Sequence, residues 1–269
     1  MQTRKVVWAA LVTLGATTAP ALAEEGKSDA AVSAPTATVM GIVGSASGKA
    51  TGGGAASVAL PVTERIGIQF DGALTNAGGI GGIDSGVHLF TRDPDAYLVG
   101  GTFEWSRFGS TNAFRYGGEL SVYLGDVTLG GSGGIQRGGA NHGTTTAGYA
   151  TAQADYYISD ILKTSISYGG YSNYRAVLGQ VEWQPAEDLP LSLFALAGAS
   201  VAHEQRGVVL SGVRYTFGAP NSTLKDRDRH GDPEIFLQSG IASSNLMGNT
   251  KAFQPPVPVA APAPPTPPT

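Results

Sequence analysis

Eleven side chains able to do chemistry fall on the polar phase of local two-residue alternations: Gln69, Asp71, Asp84, His88, Glu104, Arg115, Glu119, Asp155, Lys163, Glu182 and Arg214. Six are carboxylates and three are strong bases. Set around one narrow aqueous space, such groups need partners or water, because an unpaired desolvated charge costs several kcal/mol. Two uses remain open. The residues form a polar eyelet that filters solutes with a slight preference for cations, or a salt-bridged plug that fills the space.

Other chemistries find less support. A Ser–His–carboxylate hydrolase needs an activated serine beside one of the four histidines, but no G-x-S-x-G motif is present, and His142 and His203 fall in expected loops. Residues 226–231 imitate the start of an EF-hand loop. His230 then takes the fifth position and Leu237 the twelfth, where a bidentate Glu should close the site, and the interleaved arginines repel a cation. A solvated linker is the reading for this segment. The glycine runs at 78–82 and 130–134 do not open helices and read as close strand packing or a loop rather than phosphate cradles. The chain is therefore read as a non-enzyme, with no catalytic residues, metal or cofactor.

The elements that position the polar set are strands. Residues 114–124 alternate Phe114, Tyr116, Gly118, Leu120, Val122 and Leu124 against Arg115, Gly117, Glu119, Ser121 and Tyr123, and 149–158 alternate likewise. Similar segments at 36–44, 54–61, 66–74, 82–91, 97–108, 127–137, 162–174, 176–184, 190–201 and 207–217 make twelve. Over 36–217 this gives about 15 residues per strand and connection, against about 8–12 in soluble sandwiches. A tilted strand that crosses a bilayer needs about 9–11. Tight connections at 61–65, 92–96, 125–126, 159–161 and 185–190 alternate with Gly/Ser/Asn stretches such as 45–53, 75–82 and 138–145, which are expected to be longer loops. The fold class that results is all-β: an antiparallel transmembrane β-barrel of about twelve strands, followed by a disordered Pro-rich tail.

Aromatic residues are expected in two belts at the lipid interfaces. Phe90, Tyr97, Tyr123, Tyr156, Tyr157, Trp183, Tyr215 and Phe217 lie near the tight turns, and Trp105, Phe108, Phe114, Tyr116, Tyr168 and Tyr171 near the opposite ends. Val99, Phe103, Leu120, Val122, Val177 and Val181 are expected to face lipid.

Around this barrel, 36–218, the organisation is clear. Residues 1–23 read as a secretory signal peptide: Arg4 and Lys5, an apolar stretch, then Ala21-Leu22-Ala23 before the cleavage point. Residues 24–35 form a disordered leader, 219–253 a polar periplasmic segment and 254–269 a Pro-rich tail extended as polyproline II. The absence of Cys excludes disulfide scaffolds and thiolate metal sites. A net charge of −4 with no long basic run argues against nucleic acid as a partner.

The last strand, Leu210 to Phe217, resembles the terminal insertion signal of bacterial outer-membrane barrels, carried by Gly212, Tyr215 and Phe217, with an apolar Leu210 where that signal prefers a polar residue. Ile68 to Gly72, His88 to Pro94, Gly118-Glu119-Leu120 and Arg227 to Pro233 are similar to segments of uncharacterised porin-like outer-membrane barrels of alphaproteobacteria. The resemblance implies the bacterial outer membrane, periplasmic termini and insertion by the barrel assembly machinery. Passive diffusion of small hydrophilic solutes is the expected function. The alternative is a plugged anchor that presents the Pro-rich tail to a periplasmic or cell-wall partner, with a membrane-embedded hydrolase behind both. The partners expected are then outer-membrane lipid and those solutes.

Overall fold

The computed structural model describes residues 30–140, 143–171, 174–201, 207–219 and 221–231. The expected signal peptide, the first half of the leader, His142, His203, Leu237 and the Pro-rich tail lie outside the described residues. Twelve strands follow in chain order: β1 (Thr36–Ala46), β2 (Lys49–Pro61), β3 (Ile66–Ala77), β4 (Ile80–Asp93), β5 (Tyr97–Phe108), β6 (Thr111–Leu124), β7 (Val127–Ala140), β8 (Gly143–Ser159), β9 (Leu162–Tyr171), β10 (Tyr174–Trp183), β11 (Leu191–Ser200) and β12 (Gly207–Phe217). A short helix, α1 (Leu224–His230), comes after them. Each strand pairs antiparallel with its neighbours in sequence, and β1 pairs with β12 from Ala37↔Phe217 to Ala46↔Val208, so the sheet closes on itself without an edge.

Alternation decides which side each residue takes. Along β3, Gln69, Asp71, Ala73 and Thr75 are buried, while Phe70 and Leu74 between them are exposed. Outward exposure of Val39, Leu89, Val99, Phe103, Leu120, Ile166, Val181 and Val213 continues around the wall. A soluble monomer does not tolerate an apolar girdle around its whole circumference, whereas hydrocarbon solvates it. Tyr97, Tyr156, Trp183 and Phe217 stand exposed at the end of the barrel that carries both chain ends, called here the terminal end; Phe114, Tyr116 and Tyr168 stand toward the other.

The structure corrects two expectations. First, the Gly-rich connections are not long loops. Ser47-Gly48 (φ 52° and 74°) and Gly78-Gly79 (φ 60° and 87°) are two-residue hairpins, and the flanking residues extend the strands. Positive φ at both central positions matches the twist of the strands, and glycine adopts it freely. The longest described connection, 184–190, is instead at the terminal end. Second, Phe90, Tyr123, Tyr157 and Phe108 are buried inside the wall and belong to no lipid belt. They share the inward phase with His88, Glu119, Asp155 and Glu104.

The interior has two halves. Away from the terminal end, Ile42, Ala46, Ala77, Phe108, Leu196, Val208 and Leu210 form an apolar cluster. At the terminal end, Ala31 and Val32 pack with Ala59, Phe90, Leu98 and Tyr123 across the mouth. There Ala31 N–H donates to Glu64 O (2.7 Å) and Ser33 N–H to His230 O (3.0 Å).

Candidate functional site in the barrel interior

All eleven polar residues singled out above are buried inside the barrel, none more than 9% exposed. They form separate groups because each strand carries only every second residue inward and register fixes its height. In the first group, His88 on β4 lies between two carboxylates, with Nδ1 2.9 Å from Glu119 Oε2 and Nε2 2.9 Å from Asp71 Oδ2. Gln69 Nε2 donates to Asp71 Oδ1 at 2.9 Å. Nδ1 is hydrogen-bonded to Glu119, and Nε2 lies within ion-pair distance of Asp71. Beside it, Arg115 Nε donates to Gln136 Oε1 at 2.5 Å, its NH1 lies 3.8 Å from Glu104 Oε2, and its guanidinium stacks on the Tyr149 ring. Glycine makes this stack possible: a Cβ on Gly117 would lie 2.7 Å from the Tyr149 hydroxyl. Asp84 is buried on β4, level with Ala73 and Ser106.

The second group lies nearer the terminal end. Glu182 on β10 takes Lys163 Nζ at 3.7 Å, Arg214 NH1 at 3.4 Å and the Ser192 hydroxyl. Lys163 Nζ also donates to Asp228 Oδ2 of α1 at 2.7 Å, and the Tyr157 hydroxyl donates to the same oxygen at 2.9 Å. Asp155 is bonded by Gln153 Nε2 at 2.9 Å.

The residues that sequence reasoning missed are those that seal the terminal mouth. The stretch 226–231, read as a solvated linker, is instead the end of α1 and its C-cap, with Arg227 and Arg229 buried. Thr223 Oγ1 caps the helix by accepting from Asp226 N–H. Leu224 is fully buried, and Arg227 NH1 reaches Thr216 Oγ1 at 3.3 Å while its NH2 reaches Gln184 Oε1 at 3.4 Å. Arg229 NH2 donates to Gly125 O at 2.7 Å, under the rings of Tyr123 and Tyr157. Arg92 joins the segment before β1 to the end of α1, donating to Ala31 O at 2.6 Å and Gly231 O at 2.5 Å. A signal for Arg92 and Gln184 was available, since each lies two residues beyond an inward residue, Phe90 and Glu182. Nothing comparable marks α1, whose seven residues carry one large apolar side chain.

Asp228 gives the plug a pH dependence. Burial pushes its carboxyl up, but Lys163, then Arg214 and Arg227, outweigh burial and hold it below the ordinary carboxylate range. A group with a depressed folded value stabilises the docked helix above its unfolded value near about 3.9, and that contribution disappears as pH falls through the folded value. Hydrogen exchange in detergent should therefore show protection at 224–231 that is flat from neutral pH to about 5 and falls below about 4. On the rim, Lys225 Nζ donates to Asp126 at 2.8 Å and lowers that carboxyl too.

Two small cavities lie beside these groups. A cavity of about 40 Å³ runs along β6–β9, lined by Ser121, Thr151, Gln153, Asp155 and Tyr157 and floored by Asp228 and Arg229. A second of about 20 Å³ shares Gln153 and Ser167 with it and reaches Gln180 and Leu196. At roughly 10–15 Å³ per water, the two hold about three waters and one. Among the described residues no group of three or more His, Asp or Glu is placed to hold a metal ion.

No known family profile matches the chain, and no curated protein matches it. Solved structures do. A KdgM porin solved in complex with disordered oligogalacturonate is similar with a TM-score of 0.51 and 9% identity, over 67% of this chain and 99% of that one. A NanC porin is similar with a TM-score of 0.51 and 9% identity, over 66% and 98%. The COG4313 outer membrane channel from Pseudomonas putida F1 gives a TM-score of 0.50 and 10% identity, over 72% and 98%. At such identities the likeness shows the fold alone, a closed antiparallel β-barrel.

Proposed function

We propose that this chain is a non-enzymatic, porin-like channel of the bacterial outer membrane, one of the uncharacterised alphaproteobacterial barrels that its segments resemble. Small hydrophilic solutes diffuse through it, and both termini are periplasmic. The observation that carries this reading is the pair of water-sized cavities inside the barrel, one along β6–β9 and one reaching β10 and β11, with Ser121, Thr151, Gln153, Ser167 and Gln180 among the residues that line them. Twelve strands lie between the eight that enclose only side chains and the sixteen or more that leave a channel, so a narrow off-centre path suits the circumference. Charge supports a slight cation preference. The barrel wall carries Asp71, Asp84, Glu104, Glu119, Asp155 and Glu182 inward against Arg92, Arg115, Lys163 and Arg214. With Gly212, Tyr215 and Phe217 on the closing strand, the barrel assembly machinery is the partner proposed for insertion. Gly212 faces the seam with β1, where a Cβ would lie 2.2 Å from Gly41 O.

A second reading has its own support. The mouth is filled by α1 and by residues 31–33, which suits an anchor that carries the Pro-rich tail toward a cell-wall partner. Planar bilayers separate the two. The full chain should give infrequent small conductance steps whose reversal potential in a KCl gradient lies on the cation side. A bilayer that stays silent, with folded barrel present, refutes the channel and leaves the anchor.

A further inference from the structure

Lys163 Nζ and Arg214 NH1 both lie against the wall carboxylate Glu182, and Lys163 has no exposure to solvent. The partner with the shorter contact is not in the wall. It is Asp228, whose carboxylate receives Lys163 Nζ at 2.7 Å and the Tyr157 hydroxyl at 2.9 Å, with Arg214 NH1 at 4.0 Å. Two cations and a hydroxyl therefore converge from β8, β9 and β12 on one carboxylate that enters from outside the barrel. We propose that Lys163, Tyr157 and Arg214 form a carboxylate-binding site at the terminal mouth, filled here by the chain's own Asp228, and that α1 is thereby a tethered gate.

Three further observations bear on the gate. A helix of seven residues is not stable alone in water, so α1 is ordered by what it docks against. Of its docked side chains, Leu224 alone is apolar; Arg227, Asp228 and Arg229 are held by polar contacts that water or a solute can replace. The tether is jointed, with left-handed backbone at Gly218 (φ 80°) and Asn221 (φ 55°) on either side of the turn that leads from β12 to α1. At Gly218 a side chain is excluded, since a Cβ would lie 2.3 Å from Pro35 O. Because Asp228 and Arg229 floor the larger cavity, withdrawal of α1 joins that cavity to the mouth. Withdrawal takes Arg227, Arg229 and Asp228 away together, a net loss of one positive charge, and leaves six inward wall carboxylates facing four strong bases. The open state is then the cation-preferring one. The vacated site keeps Lys163, Tyr157 and Arg214, a match for one small carboxylate.

The gate rests on the channel reading; the binding site does not. The test uses the full chain in detergent and in planar bilayers, with Asp228→Ala and Asp228→Asn. Heat-modifiable mobility first shows that each variant forms the barrel. Both should lose protection of 224–231 from hydrogen exchange by several hundredfold or more, roughly the scale of removing one partner from a buried pair, and both should open more often by a comparable factor. Sodium formate should restore protection and closure to Asp228→Ala, where the removed carboxylate leaves room, but not to Asp228→Asn, and sodium chloride at equal ionic strength should restore neither. Unchanged protection in both variants, or equal effects of formate and chloride on Asp228→Ala, overturns the site. Lost protection with formate rescue, but with no conductance under any condition, overturns the channel and leaves the site standing.

Discussion

Leu120→Arg should strongly destabilise the barrel, while Val122→Arg on the same outward face of β6 should fold with little loss. Both side chains point to lipid, so charge alone does not distinguish them; depth does. Leu120 is half exposed and lies between Tyr116 and Leu124, away from both aromatic levels. Val122 pairs in register with Tyr97, one of the aromatic residues at the terminal interface. An arginine costs about 2–4 kcal/mol at the bilayer midplane and about 0–1 near an interface, where its guanidinium reaches the headgroups. Against a total stability of about 5–15 kcal/mol, the first is a large fraction and the second is not. Urea titration followed by heat-modifiable mobility reads both. Normal folding of Leu120→Arg would show that the outward face is wrong. Equal damage at the two positions would show that the interface is misplaced.

The face of the eleven polar residues was legible in the sequence because alternation is a local property; Phe90, Phe108, Tyr123 and Tyr157 were misplaced where aromatic type was followed instead of that alternation. Once Phe70 is outward, Gln69 and Asp71 are inward, whatever the rest of the chain does. Twelve strands follow from the same local signal repeated at a spacing set by bilayer thickness. What a single strand does not carry is height relative to its neighbours. That is why His88 and Glu119, thirty-one residues apart, are not paired by inspection, although both are plainly inward. Turn length was misread at Ser47-Gly48 and Gly78-Gly79 for a different reason. Glycine serves a hairpin with positive φ, a loop and a crowded barrel wall alike, so composition cannot separate them. The terminal plug was illegible because α1 has no apolar stripe: it docks through Arg227, Asp228 and Arg229, side chains that ordinarily mark a solvated surface.

The pairing of His88 sets up the other large effect. His88→Leu should destabilise the barrel by about 3–5 kcal/mol, since it leaves Asp71 and Glu119 buried without the ring that lies between them. Glu119→Gln is milder. It removes one charge but keeps an oxygen for His88 Nδ1, and the cost is that of weakening one charge-assisted hydrogen bond, about 1–3 kcal/mol. The contacts of Arg115 with Glu104 and Gln136 persist in that variant. Replacing Asp71, His88 and Glu119 together by leucine should recover most of what His88→Leu loses, because an apolar trio of similar volume has no desolvated charge to compensate. Unfolding midpoints in urea should therefore rank wild type above Glu119→Gln, with the triple replacement above His88→Leu. If the triple variant is less stable than His88→Leu alone, the carboxylates are stabilised by groups other than the histidine. The His88 bridge would then not be what holds β3, β4 and β6 at their common height.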